Sequence, residues 1–374
     1  MANGAKRKLR LAVTALAIII IIILLLTPSF QNFIVQLLLS PFQERAPKYV
    51  IYRLERQLRV DANGGTVYNF TLDLPMPVNV SMGNRTLQEI TSIMAFPEGR
   101  QSIRYGLPWR VWQHGPLIGT SKYIVTITYD IKVETQIWKI DAKSSGEVSD
   151  IPQSLRSAYL HDEWKIVMSD PAIMRQAAEI TKGDRNVYNI LQSIYEWMVA
   201  NVRYSSSDSS GDPSSSVETL SSLTGDCDDQ SILFCALARA AGVPAWLQLG
   251  ALYDSQRDAW SGHGWVQAYV PFKDAGGELV CIDTVNRDFM IWKPNRLAEF
   301  TDDGDGQHLR DYYYSFTYTY DQHSYPVGLS PTYHDSYRSI IHQESTEKVL
   351  LAKSGFCEFS FSQNMQRAVK VEEA

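Results

Sequence analysis

Period two dominates the chain from Tyr49 to Ile140. In "KYIVTITYDIKVETQIWKI" apolar and polar residues alternate, placing Val125, Ile127 and Tyr129 on one face. Turn chemistry at Asn63-Gly64-Gly65, Met82-Gly83-Asn84 and Pro97-Glu98-Gly99 cuts the pattern into strands. The reading is a β-sandwich over 49–142. After a Gly/Ser/Asp-rich joint, Lys143–Asp150, the period lengthens. Val187, Ile190, Leu191, Ile194, Tyr195, Met198 and Val202 fall at helical spacing, with Asp184 as the expected N-cap. A second helix starts at or beside Cys227, capped by Asp226, with Ile232, Leu233, Ala236, Leu237 and Ala240 along one face. Gly242 and Pro244 end it, as a glycine followed by proline does. Strands then follow in "AWLQLGALY", "GWVQAYVPF" and "ELVCIDTV". A further strand is expected in "DYYYSFTYTYDQ", with Tyr312, Tyr314, Phe316, Tyr318 and Tyr320 on one face as core or sheet surface.

The helices and strands of 150–330 make an α+β domain, and 331–374 is an extension with no assigned element. Ser205–Ser216, "SSSDSSGDPSSS", reads as a polar connector. Thr301–Leu309, "TDDGDGQHL", reads as a turn, because it lacks the alternating acids of a calcium loop. No metal or cofactor is expected.

The amino terminus follows neither period. Lys6, Arg7, Lys8 and Arg10 form a basic tail over 1–10, and Leu11–Leu26 is apolar apart from Thr14. Sixteen helical residues rise about 24 Å, somewhat short of a roughly 30 Å hydrocarbon core, and extension to Phe30 supplies the rest. The expectation is an uncleaved transmembrane anchor over 11–30, since no small-x-small cleavage site follows. Basic flanks stay in the cytoplasm, so the domains are expected outside it, on a single-pass membrane protein. Phe33–Leu39, too short to span, is expected at the interface or in a bent anchor. Three glycosylation-type triplets, at Asn69, Asn79 and Asn84, agree with an exported surface.

Composition narrows the function classes. The 374 residues suffice for two domains, and a net charge of −6 without a basic aromatic stripe argues against nucleic-acid binding. Cys227, Cys235, Cys281 and Cys357 lack C-x-x-C spacing, which speaks against structural zinc. Cys235, two turns into the helix, reads as core.

Cys227 stands out because it opens a buried helix among acids, in "GDCDDQSILFCALARAAGVP". A thiol attacks carbonyl carbon as thiolate, and a helix N-terminus contributes only about 0.3–1 kcal/mol toward ionisation. Asp226, Asp228 and Asp229 oppose it, so a cationic partner is required. His263 begins an apolar strand whose alternation puts His263, Trp265 and Gln267 on one face. Asp283 ends the next strand, on the face of Cys281. Pairing of those strands would bring Asp283 to the imidazole, and a docked helix would bring Cys227 to the other ring nitrogen. A Cys281–Cys227 disulfide, which would silence the thiol, is the competing arrangement.

From about Asp184 to Tyr320 these segments resemble the transglutaminase-like superfamily. The shared features are a helix ending near a tyrosine, a G-x-C helix closing in R-A-x-G-V-P, an H-x-W-V strand and a terminal aspartate. The resemblance implies a papain-like core in which an antiparallel sheet packs on the Cys helix, with Cys227, His263 and Asp283 as the triad. Trp265 and Gln267 are expected at the substrate. Gln267 stands where many members carry Glu, and Thr284 follows Asp283 in place of Pro.

The resulting expectation is an extracytoplasmic thiol acyl-transfer enzyme acting on protein or peptide amides through a thioester, hydrolytic (peptidase or amidase) rather than cross-linking. The alternative is a non-catalytic envelope protein of the same fold.

Overall fold

The alternating stretches fold as strands whose apolar side faces inward. In this computed structural model the described residues are 43–205, 212–314, 316–325, 328–352 and 369–371. The expected anchor over 11–30, the basic tail, Phe33–Leu39 and Cys357 lie outside them. Among the described residues no helix is long and apolar enough to cross a membrane.

The strands that come first include β1 (Tyr49–Asp61), β2 (Thr66–Pro75), β3 (Val80–Met82), β4 (Arg85–Phe96), β5 (Arg100–Arg104), β6 (Leu107–His114) and β7 (Lys122–Glu134). Val125, Ile127, Tyr129, Ile131 and Val133 of β7 are buried at every second position, as are Tyr52, Leu54, Leu58 and Val60 of β1. Each such side chain is worth about 1.5–3 kcal/mol of burial. Asn69, Asn79 and Asn84 are exposed.

Among the described residues, six α-helices and a central sheet follow. The helices are α1 (Gln153–Tyr159), α2 (Pro171–Thr181), α3 (Val187–Asn201), α4 (Ser216–Ser222), α5 (Cys227–Ala240) and, later, α6 (Gly306–Tyr313). The strands are β8 (Ala245–Asp254), β9 (Ala259–Pro271), β10 (Gly277–Asp283), β11 (Asp288–Phe289) and β12 (Arg296–Thr301), in the order β11-β10-β9-β8-β12. All the pairings are antiparallel. Helices on an antiparallel sheet make this half α+β.

Local chemistry sets the helix ends. Asn186, not Asp184, caps α3, accepting the Asn189 N–H, while Asp184 instead accepts the Asn186 N–H. Helix α5 ends at Ala240, followed by Gly242 at φ +86°. At Gly250 a Cβ would lie 1.9 Å from the Leu297 carbonyl oxygen, so only glycine lets β12 close on β8 there.

The expected strand over Tyr312–Tyr320 is divided. Asp305 caps α6 by accepting the Gln307 N–H, so Tyr312 and Tyr313 are helical, and β13 runs only over Phe316–Tyr320. Then β14 (Thr332–Glu344) and β15 (Val369–Val371) follow. These late strands pair with the first ones: one sheet runs β14-β1-β7-β4-β3 and the other β15-β13-β2-β6-β5. Phe70 meets Tyr123 at 5.2 Å between ring centroids and Phe316 meets Tyr333 at 4.8 Å, joining the two sheets as a sandwich.

Residues 46–349 and 369–371 fall in one unit, and 43–45 and 350–352 in another. Within the large unit, Gln88 of β4 both donates to and accepts from Ala298 of edge strand β12, at 2.8 Å each. Buried Arg56 of β1 pairs with Glu299 of β12 at 2.8 Å. The edge of the central sheet is thus capped by sandwich side chains.

Candidate active site

Asp226 fixes where α5 begins. Its Oδ1 accepts the Asp229 N–H at 3.4 Å, and Asp229 Oδ2 accepts the Asp226 N–H at 3.2 Å. This reciprocal cap places Cys227 at the first helical position. The other acids also have partners: Ser214 N–H donates to Asp229 Oδ1 at 2.6 Å, and the Tyr313 hydroxyl donates to Asp228 Oδ2 at 2.8 Å. Trp164 packs on Tyr313 at 5.1 Å. The described end of the polar connector therefore anchors the nucleophile helix.

Gly264 seats that helix. A Cβ there would meet Leu249 Cδ2 at 3.0 Å and Asp228 Cβ at 3.3 Å, so a side chain would push the first turn outward. The Gly264 backbone N–H hydrogen-bonds to Cys227 and favours its thiolate. That contribution is outweighed: burial first, then Asp226 and Asp228, hold the thiol well above its usual range. Burial, with Asp228 and Asp229 beside it, also pushes Asp226 up to about 10. The thiol is neutral in this conformation.

The register of β9 and β10 sets the other two residues. Gln267 pairs with Cys281 and Val266 with Ile282, which puts Asp283 one step further, toward His263. His263 Nε2 lies 2.8 Å from Asp283 Oδ2. The Asn286 side-chain amide donates to Asp283 Oδ2 at 2.7 Å and lies 3.0 Å from His263 Nε2. Its backbone N–H reaches Asp283 Oδ1 at 3.0 Å. Burial alone would raise the Asp283 carboxyl, but His263, Arg296 and Asn286 together hold it well below the usual range. With Asp283 on Nε2, the imidazole's Nδ1 is buried and has no hydrogen-bond partner among the described residues. The structure therefore joins His263 to Asp283 and sets Cys227 against the residue next to His263. All three are closed off, at 0–2 % exposure. Cys281 is a free thiol, as are Cys227 and Cys235, so the competing disulfide is not formed.

Trp265 and Gln267 are not at an open substrate surface. The Trp265 N–H donates to Gln248 Oε1 at 2.8 Å, and the ring stacks beside His263 at 5.8 Å. Gln267 donates to the same Gln248 oxygen and accepts from Trp246, both inside the protein. Their polar atoms are consumed by the sheet; Trp265 backs the imidazole, and Gln267 holds the Gln248 side chain that accepts from Trp265.

Residues 175–278 match the transglutaminase-like superfamily. The chain carries a transglutaminase-like domain. The matched stretch includes Cys227 and His263 and stops short of Asp283. A candidate cysteine protease from Cytophaga hutchinsonii has a similar structure, with a TM-score of 0.51, 16% identity, and 86% of this chain and 96% of that one covered. At that identity the likeness is one of fold, and its coverage extends it well beyond the matched stretch. The periplasmic domain of TgpA from Pseudomonas aeruginosa is more distant, with a TM-score of 0.30, 11% identity, and 64% and 87% covered. No curated protein matches the sequence. Superfamily and fold together support a cysteine-dependent enzyme.

Sequence reasoning missed Asn286, Gln230 and Arg296. Gln230 donates to the Gly225 carbonyl and accepts from the Thr284 hydroxyl, tying the Cys turn to the Asp strand. Thr284 thus has a role where family members carry proline.

Proposed function

We propose that the transglutaminase-like domain performs thiol acyl transfer on protein or peptide amides, with Cys227 as nucleophile, His263 as base and Asp283 as the residue that orients the imidazole. The observation that carries this reading is the division of labour on the ring: Asp283 occupies Nε2, and Nδ1 is left for a proton. His263 Nδ1 takes the Cys227 proton, and the sulfur adds to the amide carbonyl. A backbone N–H beside Cys227 is the natural oxyanion donor. Collapse of the adduct breaks the C–N bond, His263 returns the proton to the departing amine, and a thioester remains. Water then releases the acid and regenerates the thiol.

Hydrolysis is preferred over cross-linking because water is the concentrated acceptor at a site expected to face the cell exterior. The proposed setting is a single-pass membrane protein with this domain outside the cytoplasm. The test incubates the full chain with a glutamine-bearing protein and a labelled amine. Released peptides or ammonia without label incorporation, both lost in Cys227→Ala, are the expected result. Label incorporation without peptide release would reverse the preference, and products that persist in Cys227→Ala would overturn the nucleophile.

The rival reading, a non-catalytic binding protein, draws on the burial of Cys227 and its upward-shifted thiol. It predicts no Cys227-dependent product at all.

A further inference from the structure

Arg296 lies beside the His263–Asp283 pair, and the mechanism proposed above gives it no step. Its side chain is wholly buried at the start of β12. The guanidinium lies over the Trp265 ring at 5.1 Å and the Trp292 ring at 5.4 Å, and those two indoles meet edge to face at 5.8 Å. Such stacking holds the planar group in one orientation. From there Nη2 lies 3.7 Å from Asp283 Oδ2, the same oxygen that faces His263, and 3.5 Å from Asp288 Oδ2. Nη1 reaches Cys281 Sγ at 3.4 Å. Lys293 already sits 2.8 Å from Asp288 Oδ1, so Asp288 has a cation of its own.

A buried carboxylate with no cation would take up a proton or draw one from the imidazole. A buried arginine is therefore expected to act on the charge of the pair as well as on its packing.

We infer that Arg296 is a positioning residue of this site: clamped by Trp265 and Trp292, it keeps Asp283 an anion and leaves the proton on His263 Nε2. The inference rests on the triad reading. It also gives Trp265 a second role, since one indole backs both the imidazole and the guanidinium. The charged and titratable groups around the pair are His263 on β9, Cys281 on β10, Asp288 on β11, Lys293 before β12, and Cys227 with Asp226 and Asp228 on α5. Arg296 is itself a fixed cation here, as is Lys293. Removing one raises the proton affinity of the His263–Asp283 pair as a unit.

The test measures iodoacetamide alkylation of Cys227 in the full chain against pH, read on the Cys227 peptide by mass spectrometry. Arg296→Gln and Arg296→Met are predicted to move the whole profile to higher pH by about one unit. Arg296→Lys keeps the charge at a shorter reach and is predicted to move it by roughly a third of that. A purely structural role would lower the folded fraction and leave the profile in place. Folding is followed by thermal melts, and if neither neutral variant folds, the Arg296→Lys shift decides. Profiles of all folded variants that superimpose on wild type overturn the inference. Wild-type alkylation that does not depend on His263 overturns the triad reading itself, so the two failures are distinguishable.

Discussion

His263 Nε2 lies 2.8 Å from Asp283 Oδ2, with both side chains inside the protein. The two ring nitrogens are thereby made unequal. One is held by a carboxylate kept anionic, and the other has no partner among the described residues. A histidine that only filled the core would be expected to satisfy both.

Asn286 is the second donor on that carboxylate. A hydrogen bond to a charged group is worth about 1.5–3 kcal/mol, and 1.4 kcal/mol is tenfold in rate. Asn286→Ala is expected to lower kcat by about tenfold or more with little change in KM. Steady-state kinetics on an amide substrate check this. An unchanged kcat would mean that Asp283 is oriented by His263 and Arg296 alone.

Gly264→Ala tests the seat of the nucleophile helix. The added methyl meets Leu249 and Asp228 at 3.0–3.4 Å, which forces the first turn of α5 to move. Overpacking of this kind costs about 1–3 kcal/mol. The expected outcome is a lower denaturation midpoint together with slower Cys227 alkylation. Loss of stability with unaltered alkylation would separate the packing of Gly264 from the thiol's environment.

Stability should also depend on pH at a point remote from the triad. Arg239 of α5 is buried with two carboxylates, Glu163 at 2.5 Å and Asp302 at 3.5 Å. Burial, followed by the neighbouring Glu163, holds Asp302 well above the usual range despite Arg239. The folded state therefore keeps a proton that the unfolded chain gives up near pH 4. Stability from this group is complete below that pH and is lost as pH rises through the folded-state value. Burial also pushes Asp229 and Asp288 up to about 6, which adds to the slope between pH 4 and 6. Urea midpoints should fall from pH 5 to pH 8, and Asp302→Asn, a mimic of the protonated acid, should flatten the fall. A slope unchanged in the variant would mean that Asp302 is not the group that carries it.

What the sequence made legible is local. The alternation of β1 and β7, the cap at Asp226 and the stop at Gly242 each lie within a few residues, and the folded chain uses them. His263 and Asp283 could be matched because both sit on strands joined by one hairpin. Arg296 could not, because it belongs to a strand on the far side of β8 and nothing in its own neighbourhood marks it. The same holds for Arg56: the alternation of β1 puts it on the inward face with Leu54 and Leu58, and the charge is matched there only because Glu299 and Asp335 meet it from distant strands. β14 was obscure for that reason too: its partner is β1, more than two hundred residues earlier. The break at Tyr313 escaped because five aromatics at alternate positions imitate a single strand.

The central claim is that the Cys227 sulfur, neutral in the closed conformation, ionises by giving its proton to the free nitrogen of His263. Its most direct measurement is the rate of Cys227 alkylation by iodoacetamide near pH 6, in wild type and in His263→Ala. The account predicts rapid modification in wild type and a fall of at least about tenfold in the variant. Equal, slow rates in the two proteins would contradict it.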